Sequence, residues 1–371
     1  MDGLTHARIV RLNASGSIDS SFAAGANDTV RAILPLSDGS IWIAGDFTIV
    51  NGETRNHIAL LASDGGVALA PQLDVNGSVF SLALQNNGRA VFAGAFTTVN
   101  GVPRNNIART NRAFGVDSSF NPDVNGPIYA LSHQPADGKL IIGGGFTQAG
   151  NQAAARLARL NEDGGLDTGF NVSASGLVYS TVLQADGRLI VGGAFSTING
   201  TARTRIARLG TTGILDPDFH PAVSAGTGVT GLSLHSDGKL SIAGGFTTID
   251  GMPRDGFARM GQPDAALQSL TVEGTRAHWM RAGSMPELAG NPSIEISLNG
   301  ITFTDAGPML RIAESWQSND LTLPAPGETY YLRVRAPVAS GFTNGSRGWV
   351  QSVGLFASGA SAGTLFGNGF E

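Results

Sequence analysis

Asp137-Gly138-Lys139-Leu140-Ile141-Ile142-Gly143-Gly144-Gly145-Phe146-Thr147 is the stretch that decides the fold. It opens on a turn dipeptide, runs through β-branched and aliphatic residues, and ends on glycines and an aromatic ring. An Asp-Gly turn needs positive φ, which glycine supplies, and such a turn joins two antiparallel strands. The strand before it is Ile128-Tyr129-Ala130-Leu131-Ser132-His133. A third follows as Leu157-Ala158-Arg159-Leu160. After the turn Asn161-Glu162-Asp163-Gly164, the run Leu166-Asp167-Thr168-Gly169-Phe170 reads as a fourth.

This unit repeats. Gly-x-Phe-Thr/Ser recurs at Phe47, Phe96, Phe146, Phe195 and Phe246, in steps of 49, 50, 49 and 51 residues. Nine residues before each phenylalanine stands a turn: Asp38-Gly39, Asn87-Gly88, Asp137-Gly138, Asp186-Gly187 and Asp237-Gly238. The third strand recurs from Ile58, Ile107, Ile206 and Phe257, and the Asp-x-x-Phe element from Asp117 and Asp216. Three or four short antiparallel strands every ~50 residues describe a propeller blade. Solenoids, the rival architecture, use shorter periods of about 20–30 residues. The expected fold class is therefore all-β: a β-propeller of five full units and a partial N-terminal one, followed by a small β-sandwich-like domain. The repeated phenylalanine is expected to pack between blades, and the small residues at Gly143-Gly144, Gly192-Gly193 and Gly244-Gly245 to let strands crowd near the axis.

Ile-Ala-Arg-Leu-Asn, Asp-Gly, Leu-Asp-x-x-Phe and Asp-Gly-Lys-Leu-Ile-Ile-Gly-Gly-x-Phe-Thr together resemble the delta-60 repeat, a bacterial propeller repeat. The resemblance covers about residues 1–264. It implies a propeller in an exported or surface protein, and it brings no established catalytic residues.

Composition narrows the function classes. Fifty-two glycines, eighteen phenylalanines and 14% charged residues suit a turn-dense β protein. A net charge of −5, with 24 Lys and Arg spread through the repeats, offers no general attraction for nucleic acid. The absence of cysteine removes disulfides, thiol catalysis and cysteine-ligated zinc. Met1-Asp2-Gly3-Leu4-Thr5-His6 has no signal-peptide character, and no apolar run is long enough for a transmembrane helix. The setting implied by the resemblance, extracellular or cell-surface, is kept as the expected localisation. The expected state is a monomer.

Three segments are drawn: propeller repeats over 1–264, a second unit over 265–352, and a flexible tail over 353–371. The second unit reads as an immunoglobulin- or fibronectin-like sandwich with Trp279 in its core, or as one or two divergent blades. Residues 1–22 hold the back half of a unit. They are expected to supply outer strands to a closing blade, unless they belong to a longer array.

No catalytic motif, cofactor motif or metal-ligand spacing stands out, so the expectation is a non-enzyme with no cofactor and no metal. Asn161-x-Asp163-Gly164-x-x-Asp167 has oxygen ligands around a glycine, but its counterparts carry Ser15 and Thr212 in place of the middle carboxylate. Turn capping accounts for it instead. Arg55, Arg104, Arg203 and Arg254 follow the repeated phenylalanine by eight residues, with Ala154 breaking the series. Four guanidinium groups on one rim would bind a carboxylate or acidic sugar; equally, each would tie down its own loop. Departures from the repeat mark the other candidates: Asp46, Trp42, His57 and His133. Asp46 is the clearest, since its counterparts in the other units are Ala95, Gly145, Ala194 and Gly245. The expected function is adhesion or ligand binding through rim loops, with a glycan or protein as ligand. The alternatives are a polysaccharide-acting enzyme with acids at the central funnel, and a structural spacer of a longer surface protein.

Overall fold

The computed structural model describes residues 7–13, 15–69, 72–111, 113, 115–262, 264–313, 315–339, 347–359 and 366–367. It is all-β, with no helix among these residues. Five three-stranded antiparallel blades follow one another. Their inner strands are Val30–Pro35, Val79–Leu84, Ile128–His133, Val178–Leu183 and Gly228–Leu234. The middle strands are Ile41–Gly45, Ala90–Gly94, Leu140–Gly144, Leu189–Gly193 and Leu240–Gly245, and the outer ones Ile58–Leu61, Ile107–Arg109, Leu157–Leu160, Ile206–Leu209 and Phe257–Met260. The inner strand of each blade packs on that of the next, from the first blade to the fifth.

Between middle and outer strands stands a small hairpin, such as Gln148–Ala149 with Gln152–Ala153. Its tip is an Asn-Gly, Gly-Asn or Asp-Gly pair with both residues at positive φ, for example Asn199 at 49° and Gly200 at 76°. Those paired angles give the left-handed turn that matches strand twist. The segment leading out of one unit then bridges onto the hairpin of the following unit, as Val124 does on Ala149 and Ala174 on Ile198.

The repeated phenylalanines are buried, Phe47 and Phe146 at 0% exposure. Phe146 packs with Ile107 and Phe120 of the preceding unit, which makes it an inter-blade residue. The middle-strand glycines are equally constrained. A Cβ on Gly143 would lie 2.6 Å from Cγ1 of Val178, and one on Gly192 2.6 Å from Cγ1 of Val229. Only a glycine lets the next blade's valine come that close.

The expected fourth strand is not one. Leu166 makes a single bridge to Leu160, and the chain turns at once, with Phe170 N donating to Asp167 O at 3.1 Å. The aspartate is pulled out of strand geometry by an arginine. Arg159 on the outer strand binds Asp167 at 2.7 Å and lies 4.8 Å over the ring of Phe170. Its Nη1 reaches the carbonyl of Thr211 in the next blade at 2.6 Å. Arg109 with Asp117 and Phe120, and Arg208 with Asp216 and Phe219, repeat the arrangement. Arg11, Asp19 and Phe22 do so before the first blade, where Arg11 also donates to Ser63 O. Residues 7–26 thus lie against the first blade, with Ala23 N bound to Asp64 O and Ile9 in the core around Phe47.

The first and fifth blades depart from this scheme. In blade 1 the arginine is replaced by Leu60, which pairs across the ladder with Trp42. Both are buried in the core shared with blade 2. In blade 5, Phe257 is 60% exposed where Ile58, Ile107, Leu157 and Ile206 are buried, because no further blade covers that face.

Eight strands between Ala266 and Gly367 form one antiparallel sheet that folds over on itself. One half holds Ala266–Glu273, Arg276–Gly283, Ser315–Ser318 and Thr304–Ile312; the other holds Ser293–Ser297, Thr329–Ala339, Arg347–Ala357 and Phe366–Gly367. The halves are joined along Ser293–Ser297 and Thr304–Ile312, and the first strand comes round against Arg347–Ala357, so the sheet nearly closes. Trp279, Trp316, Tyr330 and Phe356 fill its core. The alternation from Gln351 to Phe356 carries the strand through the boundary drawn at residue 352, to Ala357. Residues 360–365 and 368–371 of the expected tail lie outside the described residues. This sheet docks on the turn ends of the blades: Ala185 N donates to Met285 O, and Glu287 N to Leu183 O.

Replacing Phe146 by Ala should cost about 3–5 kcal/mol, as for other buried aromatics. Urea unfolding at neutral pH measures it, and a loss under about 1 kcal/mol would contradict the inter-blade placement.

Candidate functional site

The inner strands all carry a β-bulge near their start, at the second residue in blades 1 to 4 and at the third in blade 5, where the ladder with the middle strand skips one position. The skipped residues are Arg31, Phe80, Tyr129, Tyr179 and Thr230. A bulge re-aims its side chain, and here Arg31, Phe80, Tyr129 and Tyr179 meet across neighbouring blades, while Thr230 Oγ1 bonds Ala243 O in its own blade. Phe80 and Tyr129 stack with centroids 5.5 Å apart at 23°, and Tyr129 meets Tyr179 at 5.5 Å and 55°. Arg31 lies 5.3 Å over the ring of Phe80. All five are half-buried. The result is a strip of aromatic rings crossing three blades, on the end of the array where the inner strands begin, with a cation at one end and a threonine at the other.

The charged end gathers departures from the repeat. Asp46 holds Arg31 through Nε at 2.9 and 2.8 Å and through Nη2 at 2.6 Å. Hydrogen bonding from Arg31 lowers the Asp46 carboxyl below its ordinary range against a partial desolvation, with help from Ser78 and the charge of His57. The same bond raises Arg31. Asp46 is therefore an ionised carboxylate with both oxygens engaged, and it has no proton to give near neutral pH. Burial beside Tyr179 raises Tyr129 above the usual tyrosine value. The rings are half-buried, and the aromatic surface they leave to solvent can take apolar or cationic groups.

His57 adjoins this end, with Nδ1 3.2 Å from Gly45 O. Its own position is set by backbone shape: His57, Asn106, Arg156, Arg205 and Gly256 all have φ between 64° and 72°. Asn106 and Arg156 use their side chains to reach a carbonyl eighteen residues on, and His57 does not. Trp42 is on the adjoining strand but only 1% exposed, in the pairing with Leu60, and it presents no surface to a ligand. His133 lies at the opposite end of its inner strand, paired with Leu140 beside the Asp137-Gly138 turn. The structure brings together Asp46 and His57 and leaves Trp42 and His133 apart from them.

The arginine series does not form an open rim. Arg55, Arg104, Arg203 and Arg254 each donate from Nη1 to the carbonyl of the preceding residue, at 2.7–2.8 Å. The first three also donate from Nη2 to a carbonyl thirteen residues on: Ala68, Asp117 and Asp216. Arg55 and Arg104 are buried. Arg254 is exposed, since the element that would accept its second bond is missing after blade 5. These guanidinium groups are loop ties.

The Asn161–Asp167 segment is likewise committed. Asp163 caps Gly165 N at 2.9 Å, and Asp167 is shared by Lys139 and Arg159. Among the described residues no cluster of His, Cys, Asp or Glu could hold a metal ion.

The aromatic strip was missed by reading the repeat for its constants. The signal is present in the alignment of units, since Arg31, Phe80, Tyr129, Tyr179 and Thr230 occupy one position with large, varied side chains between two small or apolar ones. A bulge is not written in sequence, and without it that position reads as an ordinary strand residue.

Five blades, shared register and serial packing of inner strands define a β-propeller repeat protein. Residues 2–22, 36–66, 85–120, 136–170 and 184–219 match the model of a family described as a domain of unknown function, DUF5122, β-propeller. Together with the blades, these repeated matches support a β-propeller repeat protein. Comparison with curated proteins gave no match. Among solved structures, the crystal structure of the WD40 β-propeller domain of Doa1 is similar at 12% identity and a TM-score of 0.39, over 63% of this chain and 79% of that one. That likeness is too distant to bear on function.

Desolvation raises Asp167, but bonds from Lys139, Arg159 and Gly169 N overcome it and hold the carboxyl at about 2, below the ordinary aspartate range. A carboxyl depressed by folding contributes stability that is complete above the unfolded value and is lost as pH falls through the folded one. Asp167→Asn should lower the melting temperature at pH 7 and flatten its decline between about pH 4 and pH 2. Equal slopes in mutant and parent would show that Asp167 is not held as described.

Proposed function

We propose that this chain is a non-enzymatic binding module whose ligand lies across the aromatic strip of Phe80, Tyr129 and Tyr179. The observation that carries the reading is that strip itself: rings on three successive blades are re-aimed by bulges and left half-open to solvent. Burying them completely would suit a scaffold better. A glycan is the ligand this surface fits best, because a sugar ring offers apolar faces for stacking with hydroxyl groups at its edge. A protein segment is the second possibility. The contact surface moves from the rim loops to the bulged inner strands, since the rim arginines are occupied by their own carbonyls.

The enzymatic alternative is weaker. It needs a carboxyl free to give or take a proton, with a second at about 5–10 Å. Asp46 is tied on both oxygens to Arg31. The spacer alternative leaves the strip without a use. By its resemblance to the delta-60 repeat, we infer an exported protein at the cell surface or outside the cell, acting as a monomer and needing no cofactor.

A glycan array probed with the parent and with Tyr129→Ala/Tyr179→Ala tests this. The expected result is a defined set of glycans bound by the parent and bound at least roughly tenfold more weakly by the double mutant, at one ring contact of about 1–1.5 kcal/mol each. Far-ultraviolet melts confirm that both proteins are folded. No glycan bound by the parent, or binding unchanged in the mutant, overturns the glycan reading.

A further inference from the structure

The single break in the arginine series leaves a shaped hole. In three units the guanidinium fills a slot between the small hairpin and the segment that follows the outer strand, an Asp-x-x-Phe element in two of them, and forms the same two bonds. Arg104 donates to Pro103 O at 2.7 Å and Asp117 O at 3.2 Å; Arg203 donates to Ala202 O at 2.8 Å and Asp216 O at 3.1 Å. Arg55 donates to Thr54 O at 2.8 Å and Ala68 O at 3.3 Å. In the third unit the slot is framed alike, but the residue is Ala154. A cavity of 340 Å³ lies there. Its walls include Ala153 and Asp167, the counterparts of the two residues whose carbonyls accept the guanidinium elsewhere. Leu157 and Phe170, both buried, form its apolar floor, and exposed Gln152 and Asn171 stand at its mouth.

We propose that this slot is a binding site for a guanidinium group, either that of a small guanidino compound or that of an arginine side chain presented by another chain. The neighbouring units demonstrate the fit, because the same backbone frame closes on a guanidinium at three places in this one molecule. The planar fork matches two carbonyl acceptors set to one side, and a compact ammonium ion cannot span both. Part of the Asp167 carbonyl is used by Phe170 N, and a carbonyl oxygen has a second lone pair to offer. The Asp167 carboxylate is already held by Lys139 and Arg159, so recognition rests on carbonyls, not on a free acid.

Ethylguanidinium reproduces the part of an arginine side chain that alanine lacks, and is the probe of choice. Titration of the intact chain by nuclear magnetic resonance should show saturable binding of one equivalent, in the low millimolar range expected of so small a ligand. Propylammonium should bind at least about tenfold more weakly. Ala154→Arg supplies the group in place and should abolish binding. Arg203→Ala should open a second slot and raise the stoichiometry to two, a gain that keeps the test decisive if Ala154→Arg fails to fold. Absence of saturable binding by the parent, or full binding by folded Ala154→Arg, overturns the proposal. An acetyl-Gly-Arg-Gly-amide peptide separates the sources: tighter binding than ethylguanidinium supports an arginine of another chain, and equal or weaker binding supports a free guanidino compound.

Discussion

A guanidinium on the outer strand, clasped by the carboxylate eight residues later and lying over the ring eleven residues later, is the interaction on which the propeller depends. In blades 2, 3 and 4 it turns the segment after the third strand away from the sheet. It also reaches the turn of the next blade, so one side chain fixes both the shape of a unit and its junction to its neighbour. Arg109 and Asp117 are almost fully buried. A buried ion pair gains little over an apolar pair of the same shape, but breaking one partner leaves an unpaired buried charge. The staple therefore specifies geometry more than it adds stability. Cations after the Asp/Asn-Gly turns follow the same logic, with Arg89, Lys139 and Arg188 sharing the carboxylates of Asp117, Asp167 and Asp216.

Where the staple is missing, the structure replaces it in kind. Trp42 with Leu60 fills the first junction with apolar volume. After blade 5 the carboxylate of Asp264 closes the series from the far side, bound by Arg208 at 2.7 Å and Arg188 at 2.9 Å. That contact lies where the chain leaves the propeller for the second sheet, which docks on the turns of blades 4 and 5. Departures from the repeat thus fall into two kinds. Trp42, Leu60 and Asp264 maintain junctions. Arg31, Asp46, the bulged aromatics and Ala154 leave open surface or space beside the junctions, and these are the residues proposed for binding.

Much of the fold was legible because its determinants are local. Asp-Gly and Asn-Gly turns, alternating strands and the 50-residue period name the blade and its three strands. The Arg–Asp–Phe staple was visible as two separate constants, Ile-Ala-Arg-Leu and Asp-x-x-Phe, but their pairing is a contact and carries no spacing rule of its own. The second sheet was legible as β structure with Trp279 inside, though the strand through Ala357 crossed the boundary that a Ser/Gly-rich tail suggested. The candidate site was the least legible part. Asp46 stands out in the sequence as a departure, but its partner Arg31 stands fifteen residues away on a bulge, and Tyr129 looks like any aromatic strand residue. The arginine rim failed for a plain reason: eight residues after the phenylalanine, the chain has turned back so that the guanidinium meets its own carbonyls.

The staple is tested most directly by a double-mutant cycle on Arg109 and Asp117, using Arg109→Met, Asp117→Asn and the pair, with unfolding free energies from urea titration at pH 7. If each single change strands its partner's buried charge or polar group, both singles lose about 3–5 kcal/mol and the pair loses clearly less than their sum, by a coupling of roughly 2 kcal/mol or more. Losses that add to within about 0.5 kcal/mol would mean that the two residues act independently and that something other than this clasp holds the blades in register.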